Sequence, residues 1–448
     1  MAVSSPGFML CWRAVQTVLK ELRLTLALAF PMIVGQVSQM LIGLSDNAFI
    51  GRVGTVELAA AAFTHGIFGL FYIAGIGLLL PVAVYTARDH GAGDEAGCAA
   101  WLRHGRAMAL AVGVGSFGLL VILSTQLHRF GQPPEVVAVM NPFFLLIAAS
   151  LIPTHYFQVQ RQYLDAMGRP WVGTSIMIAD IALNALLNWM FIWGHLGAPA
   201  LGLPGSGLAT LIARTVAVGV IALWLRREPG AGGGLEWARF REMLQIGVPA
   251  AGCLLFESGA FGASALMMGW LGATALAAHQ IALSCASLTF MVPLGLSMAV
   301  SIRLSKALGG GRPEALRPIG FGVLGLSGAV MLGFGVIFLA GGSLLARGFT
   351  ADVAVITLAA QLLSVAAFFQ LFDGTQVVAA GALRGLTDVK VPTIITFIAY
   401  WVISLPTGYL LAFHTRLGPP GIWIGLASGL ACAAVLLTAR FHRQTRGN

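Results

Sequence analysis

Apolar, almost uncharged runs separated by short polar joins recur along nearly the whole chain. A run of about 20 such residues spans the hydrocarbon of a bilayer as a helix, whereas a barrel strand needs about ten residues of strict alternation. These runs are too long and too uniformly apolar for strands. The pattern predicts membrane helices near 24–50, 58–86, 107–126, 136–157, 171–194, 203–225, 244–269, 274–302, 318–341, 353–380, 391–413 and 419–439. Twelve spans follow, with eleven or thirteen still open. The predicted fold class is an all-α polytopic membrane protein with no room for a folded soluble domain.

The pattern also repeats. With Pro31 placed over Pro249, an offset of 218, Gly51 and Gly54 fall on Gly269 and Gly272, Gly77 on Gly295, and Gly91 and Gly93 on Gly309 and Gly311. At an offset of 217, Gly168 falls on Gly385 and Tyr156 on Asp373. Two six-helix halves are therefore expected, and because six is even they enter from the same side, related by a pseudo-two-fold axis along the membrane normal. The expected division is a cytosolic lead-in at 1–23, an N-terminal lobe at 24–225, a cytosolic linker at 226–243, a C-terminal lobe at 244–440 and a tail at 441–448. Such repeats mark transporters more often than channels or membrane enzymes. Pro31, Pro249 and Pro293 fall within helical runs, where each removes a backbone hydrogen bond and permits a bend, although Pro31 and Pro249 could also sit in first turns.

Composition agrees with the pattern. Hydrophobic residues make up 58% of the chain and charged residues 10%, against about a quarter charged in soluble domains. The net charge of +9 would suggest nucleic acid, but twenty-one of the 26 Lys and Arg fall on one side if both termini are cytosolic. That is the positive-inside distribution, so nucleic acid is not an expected partner and membrane lipids are. The first 23 residues lack a small-residue cleavage site and read as a cytosolic lead-in. Five scattered cysteines offer neither a disulfide framework nor a zinc spacing.

Four acids stand alone within spans. Asp46 is the only charge between Arg23 and Arg52, Asp180 between Arg169 and Arg214, Glu257 between Glu242 and Arg303, and Asp373 between Asp352 and Arg384. A charge in hydrocarbon is costly, so each is a functional candidate. Desolvation disfavours the ionised form of a carboxylate, so such acids can take up and release protons; alternatively, a pair with hydroxyl and carbonyl oxygens can hold sodium. Asp180, Asn184 and Asn188 are spaced four apart and share one helix face, either as a ligand stripe or as interhelical glue. Arg214 in the sixth span either pairs with Asp180 or snorkels. His279 and Gln280 are further polar positions in the eighth span. No convergent nucleophile or metal cluster is visible, so no enzyme, no cofactor and no metal beyond a sodium ion is expected.

The runs ALAAHQIALSCASLTFMVPLGLSMAVSIRLSKALG, QLFDGTQVVAAGALRGLTD and YWVISLPTGYLLAF are joined in the first half by SDNAFIGRVGTVELAAAA and NALLNWMFIWGHLGAPALGLPGSGLAT. Together they resemble the multidrug and toxic compound extrusion (MATE) transporters, most of all the NorM-like branch, over about residues 20 to 440. The resemblance implies a twelve-helix, two-lobed antiporter in a bacterial inner membrane that exports cationic lipophilic compounds in exchange for H+ or Na+, acting as a monomer. By motif position, Glu257 and Asp373 resemble the cation-binding acids of the C-terminal lobe and Asp46 the coupling acid of the N-terminal lobe. Asn184 and Asn188 match the polar pair beside that acid, with Thr210 in the matching position of the sixth span. Phe369 stands where the family pattern would place a tyrosine, which removes a hydroxyl ligand for sodium. Phe369, Gln280 and His279 are the substrate-binding candidates. The second reading is a flippase for a lipid-linked saccharide, although an anionic substrate would favour buried Arg or Lys and the spans carry four acids against Arg214 alone.

Overall fold

The computed structural model describes residues 6–226 and 233–446, and all regular structure among them is helical. Among the described residues, twelve stretches are long and apolar enough to cross a membrane. They are α1 (Val18–Ile50), α2 (Thr55–Ala92), α3 (Glu95–Ser124), α4 (Pro134–Ala166), α5 (Pro170–Trp193) and α6 (Leu203–Leu225), followed by α7 (Trp237–Trp270), α8 (Ala273–Gly309), α9 (Pro313–Arg347), α10 (Val353–Gly385), α11 (Lys390–Phe413) and α12 (Pro419–Gln444). The helix of α1 continues back to Pro6. Within the predicted linker, the chain is already helical from Trp237, and residues 227–232 lie outside the described residues.

Local chemistry sets the helix ends. Asp94 accepts from Gly97 N at 2.8 Å to open α3, and Asp352 accepts from Ala354 N at 2.8 Å to open α10. Pro31 and Pro249 lie well inside their helices, not in first turns, and Pro293 lies inside α8. α2 breaks at Leu80, before Pro81, and α4 breaks at Ser150. α11 widens into a π-helical turn over Ile398–Ser404, two residues before Pro406, where the missing N–H favours such a slip.

The chain packs as two compact units, Met1–Ile33 with Gly252–Asn448, and Val34–Ala251. In the first, α10 is the central helix and packs against α8, α9 and α12. In the second, α4 takes the central place, packing against α2, α3 and α6.

The repeat register explains where the units divide. Ile33 and Ala251 are related by the offset of 218, as are Gly77 and Gly295. In one unit a Cβ on Gly77 would come within 2.3 Å of Ala251 Cα; in the other a Cβ on Gly295 would come within 2.4 Å of Ile33 Cγ1 and 2.9 Å of its N. The same close approach of two helices is thus made once in each unit, and only glycine permits it. A second related pair differs in chemistry. Glu21 is ion-paired with Arg303 in one unit, whereas the corresponding Arg239 lies with its Cζ 4.7 Å from the Trp101 ring centroid, and Trp101 stacks on Tyr85 at 4.4 Å. Gly77→Val and Gly295→Val are each expected to destabilise their unit by about 1–3 kcal/mol through overpacking. Their apparent Tm in detergent should fall, whereas Val at Gly115, where nothing lies within 4 Å, should leave it near wild type.

Candidate functional site

Each unit holds a buried polar site. In the Val34–Ala251 unit, Asp46 of α1 and the α5 stripe come together. Asn188 Nδ2 donates to Asp46 Oδ1 at 2.7 Å and also reaches Asn184 Oδ1 at 3.0 Å. Asn184 Nδ2 donates to Thr210 Oγ1 of α6 at 3.4 Å, and Thr210 Oγ1 donates to Ser206 O at 3.0 Å. All four side-chain positions are buried, with Asp46 3% exposed. The four-residue spacing of Asn184 and Asn188 puts both amides on the face that meets α1 and α6, where both are buried between helices. Asp180, one turn further along, lines a cavity of about 30 Å³ together with Arg214.

In the other unit, Glu257 of α7 accepts a hydrogen bond from the Tyr400 hydroxyl at 3.3 Å, and Gln376 of α10 is a further partner. Tyr400 is fully buried on the π-helical turn of α11, within electrostatic reach of both Glu257 and Asp373. Asp373 is 3% exposed, and its Oδ1 has no hydrogen-bond partner among the described residues. Its neighbour Gly374 brings α10 against α9: a Cβ there would lie 2.5 Å from Met331 Cγ, and Ser327 Oγ donates to Gly374 O at 3.2 Å. Gln370, one turn before Asp373, donates to Thr289 Oγ1 of α8.

Behind these acids lies an aromatic cluster. Phe261 packs against Tyr400 (6.2 Å) and edge-on against Phe369 (6.3 Å), and Phe369 packs against Trp423 (5.7 Å). Trp423 Nε1 donates to His279 Nδ1 at 3.1 Å. Phe369 and His279, named by the sequence as separate candidates, thus belong to one cluster, while Gln280 is exposed on another face of α8. Nothing in the pattern of lone charges marks Tyr400 or Gln376. A tyrosine in an apolar span carries no charge to mark it, and the signal that existed was its place six residues before Pro406.

Buried carboxylates with polar partners, set in a duplicated bundle with twelve helices among the described residues long and apolar enough to cross a membrane, are the architecture of a multi-pass membrane transporter. The MatE family profile matches residues 31–190 and 249–410, once in each repeat and at the register of the repeat itself. The chain belongs to the MatE family. It is 37% identical over 442 residues to "Probable multidrug resistance protein NorM" of Mesorhizobium japonicum, covering 95% of each chain. The protein of the same name in Rhodopseudomonas palustris is 38% identical over 438 residues, covering 95% of this chain and 92% of that one. Among solved structures, "Crystal structure of MATE in the straight conformation" shares the fold with a TM-score of 0.88 at 21% identity, covering 95% of this chain and 96% of that one.

Proposed function

We propose that the protein is a proton-coupled antiporter that exports cationic, lipophilic organic compounds from the cytosol. Asp46, Glu257 and Asp373 act as the proton-exchanging acids, Asn184, Asn188 and Thr210 as the polar setting of Asp46, and the aromatic cluster as apolar surface for the organic cation. The names of the relatives support export of multiple drugs, their bacterial sources support a bacterial membrane, and the positive-inside charge distribution supports cytosolic termini. The two six-helix repeats would act as the lobes that exchange access, in a single chain.

One observation favours the proton over sodium. The partners of the acids are donors: an amide N–H on Asp46 and a phenolic O–H on Glu257. A sodium ion needs several converging oxygens, whereas each of these two carboxylates already has a donor on its ionised form and needs no metal to hold it. Phe369, which offers no oxygen, fits the same choice. Proteoliposomes loaded with ethidium and given either a proton or a sodium gradient test the reading. Efflux driven by the proton gradient alone, and lost in Asp373→Asn, is the expected result. Sodium-driven efflux would overturn the choice of ion. Silence under both gradients would overturn antiport of organic cations and turn attention to lipid-linked saccharides.

A further inference from the structure

The Val34–Ala251 unit contains a charged pair that this scheme leaves unused. α5 and α6 are consecutive, packed helices whose register sets Asn184 against Thr210. One turn of about four residues along each helix in opposite directions, that register sets Asp180 against Arg214. The two side chains line the same cavity as Gln39, Tyr72, Thr154 and Gln158, and its volume of about 30 Å³ has room for water but not for an organic cation. Asp180 Oδ1 is buried with no hydrogen-bond partner among the described residues. Arg214 is fixed in place: Nη1 donates to Ser150 Oγ at 2.7 Å, at the break in α4, and Cζ lies 5.0 Å from the Phe68 ring centroid. Its charge acts on both Asp180 and Asp46.

The charges can be counted. With both acids ionised, Asp46 and Asp180 carry two negative charges and Arg214 one positive. The other titratable groups facing this cluster are His65 and Tyr72 of α2 and His155 of α4. Both imidazoles lie within electrostatic reach of the Arg214 guanidinium, which disfavours a second cation beside it, so they are counted as neutral. Arg161 and Asp165 on α4 offset one another. One negative charge therefore remains, and a single proton cancels it.

We propose that Arg214 is a built-in counter-ion that sets the proton stoichiometry of this unit: it neutralises Asp180, so Asp46 and Asp180 together take up one proton per cycle instead of two. The inference rests on the proton-antiport reading. An unneutralised charge in a desolvated interior is strongly disfavoured, so the number of fixed cations decides how many protons must bind before the neutral state is reached.

The test uses full-length protein in proteoliposomes with the membrane potential clamped at zero. The ethidium gradient that just balances each imposed pH gradient is measured, and the slope of log ethidium ratio against pH difference gives protons per ethidium. That slope does not depend on how fast or how abundant a variant is. Arg214→Gln is expected to raise it by about one and Asp180→Asn to lower it by about one. Asp180→Asn/Arg214→Gln should return it to the wild-type value, and Arg214→Lys should keep it there. A purely structural role for Arg214 would slow transport and leave every slope unchanged, which overturns the proposal, as does a double variant that stays displaced. If Arg214→Gln does not fold, the double variant and Arg214→Lys carry the test, and failure of both to transport is likewise an overturning result. Wild-type protein that moves no ethidium under any pH gradient would sink the antiport reading itself.

Discussion

Asp46→Asn is expected to lower proton-driven ethidium efflux by about 5- to 150-fold, the range of an ordinary coupling free energy. The substitution keeps the size and planarity of the side chain but removes both the negative charge and the exchangeable proton. Asn188 Nδ2, which donates to Asp46 Oδ1 at 2.7 Å, would still find the amide oxygen, so the packing of α1 against α5 is retained. What is lost is the change in charge that a proton brings. Ethidium binding should change by no more than about threefold, well under 1.4 kcal/mol, because Glu257, Asp373 and the aromatic cluster lie in the other packing unit and share no residue with the Asp46 site. Equilibrium binding to the detergent-solubilised variant, set beside its efflux in proteoliposomes, separates the two effects. A variant that still couples efflux to the proton gradient at near wild-type rate would remove Asp46 from the coupling scheme. One that loses binding as much as efflux would make it a substrate ligand instead.

The acids of these sites were legible because a lone charge in an apolar run is improbable unless it has a use, and Asp46, Asp180, Glu257 and Asp373 each met that condition. Their partners were less so. Asn184 and Asn188 showed by spacing alone, but Tyr400 is neutral and half apolar, so nothing distinguishes it from a core aromatic until the π-helical turn of α11 brings its hydroxyl to Glu257. The sequence leaves Arg214 open to pairing with Asp180 or to snorkelling; that the two line one cavity follows from the register of α5 against α6, which no local pattern contains. The glycines at 77 and 295 were visible as a repeat, while the reason for them, backbone approach to Ala251 and Ile33, is a property of packing. Arg161 lies beyond 157, where the apolar run of the fourth span ends. A charge near the end of a span reads as a loop charge, yet α4 continues to Ala166, and Arg161 and Asp165 are 2% and 1% exposed.

That buried pair carries the largest expected effect on stability. Arg161 Nε lies 3.8 Å from Asp165 Oδ2, close enough for charge attraction but too far for a hydrogen bond, and neither carboxylate oxygen has a hydrogen-bond partner among the described residues. The guanidinium is held instead by Gln36 Oε1 (3.3 Å from Nη2) and Met177 Sδ (3.0 Å from Nη1), in a cradle that Gly35 and Gly173 leave open; a Cβ on Gly173 would come within 2.8 Å of Arg161 Cγ. The attraction therefore offsets only part of the desolvation of two ions. Arg161→Ala is expected to cost about 3–5 kcal/mol, because it strands the Asp165 carboxylate in a dry interior. Arg161→Met/Asp165→Leu, which fills the space without charge, should be neutral or more stable by about 1–4 kcal/mol. Because membrane proteins commonly unfold irreversibly, the measurement is the rank order of apparent Tm in detergent at one scan rate. The expected order is the double variant at or above wild type and Arg161→Ala far below both. A double variant that falls as far as the single would mean that the guanidinium holds α4 to Gln36 of α1 by hydrogen bonding that methionine cannot replace, and the pair would then be a structural clasp whose charge is incidental.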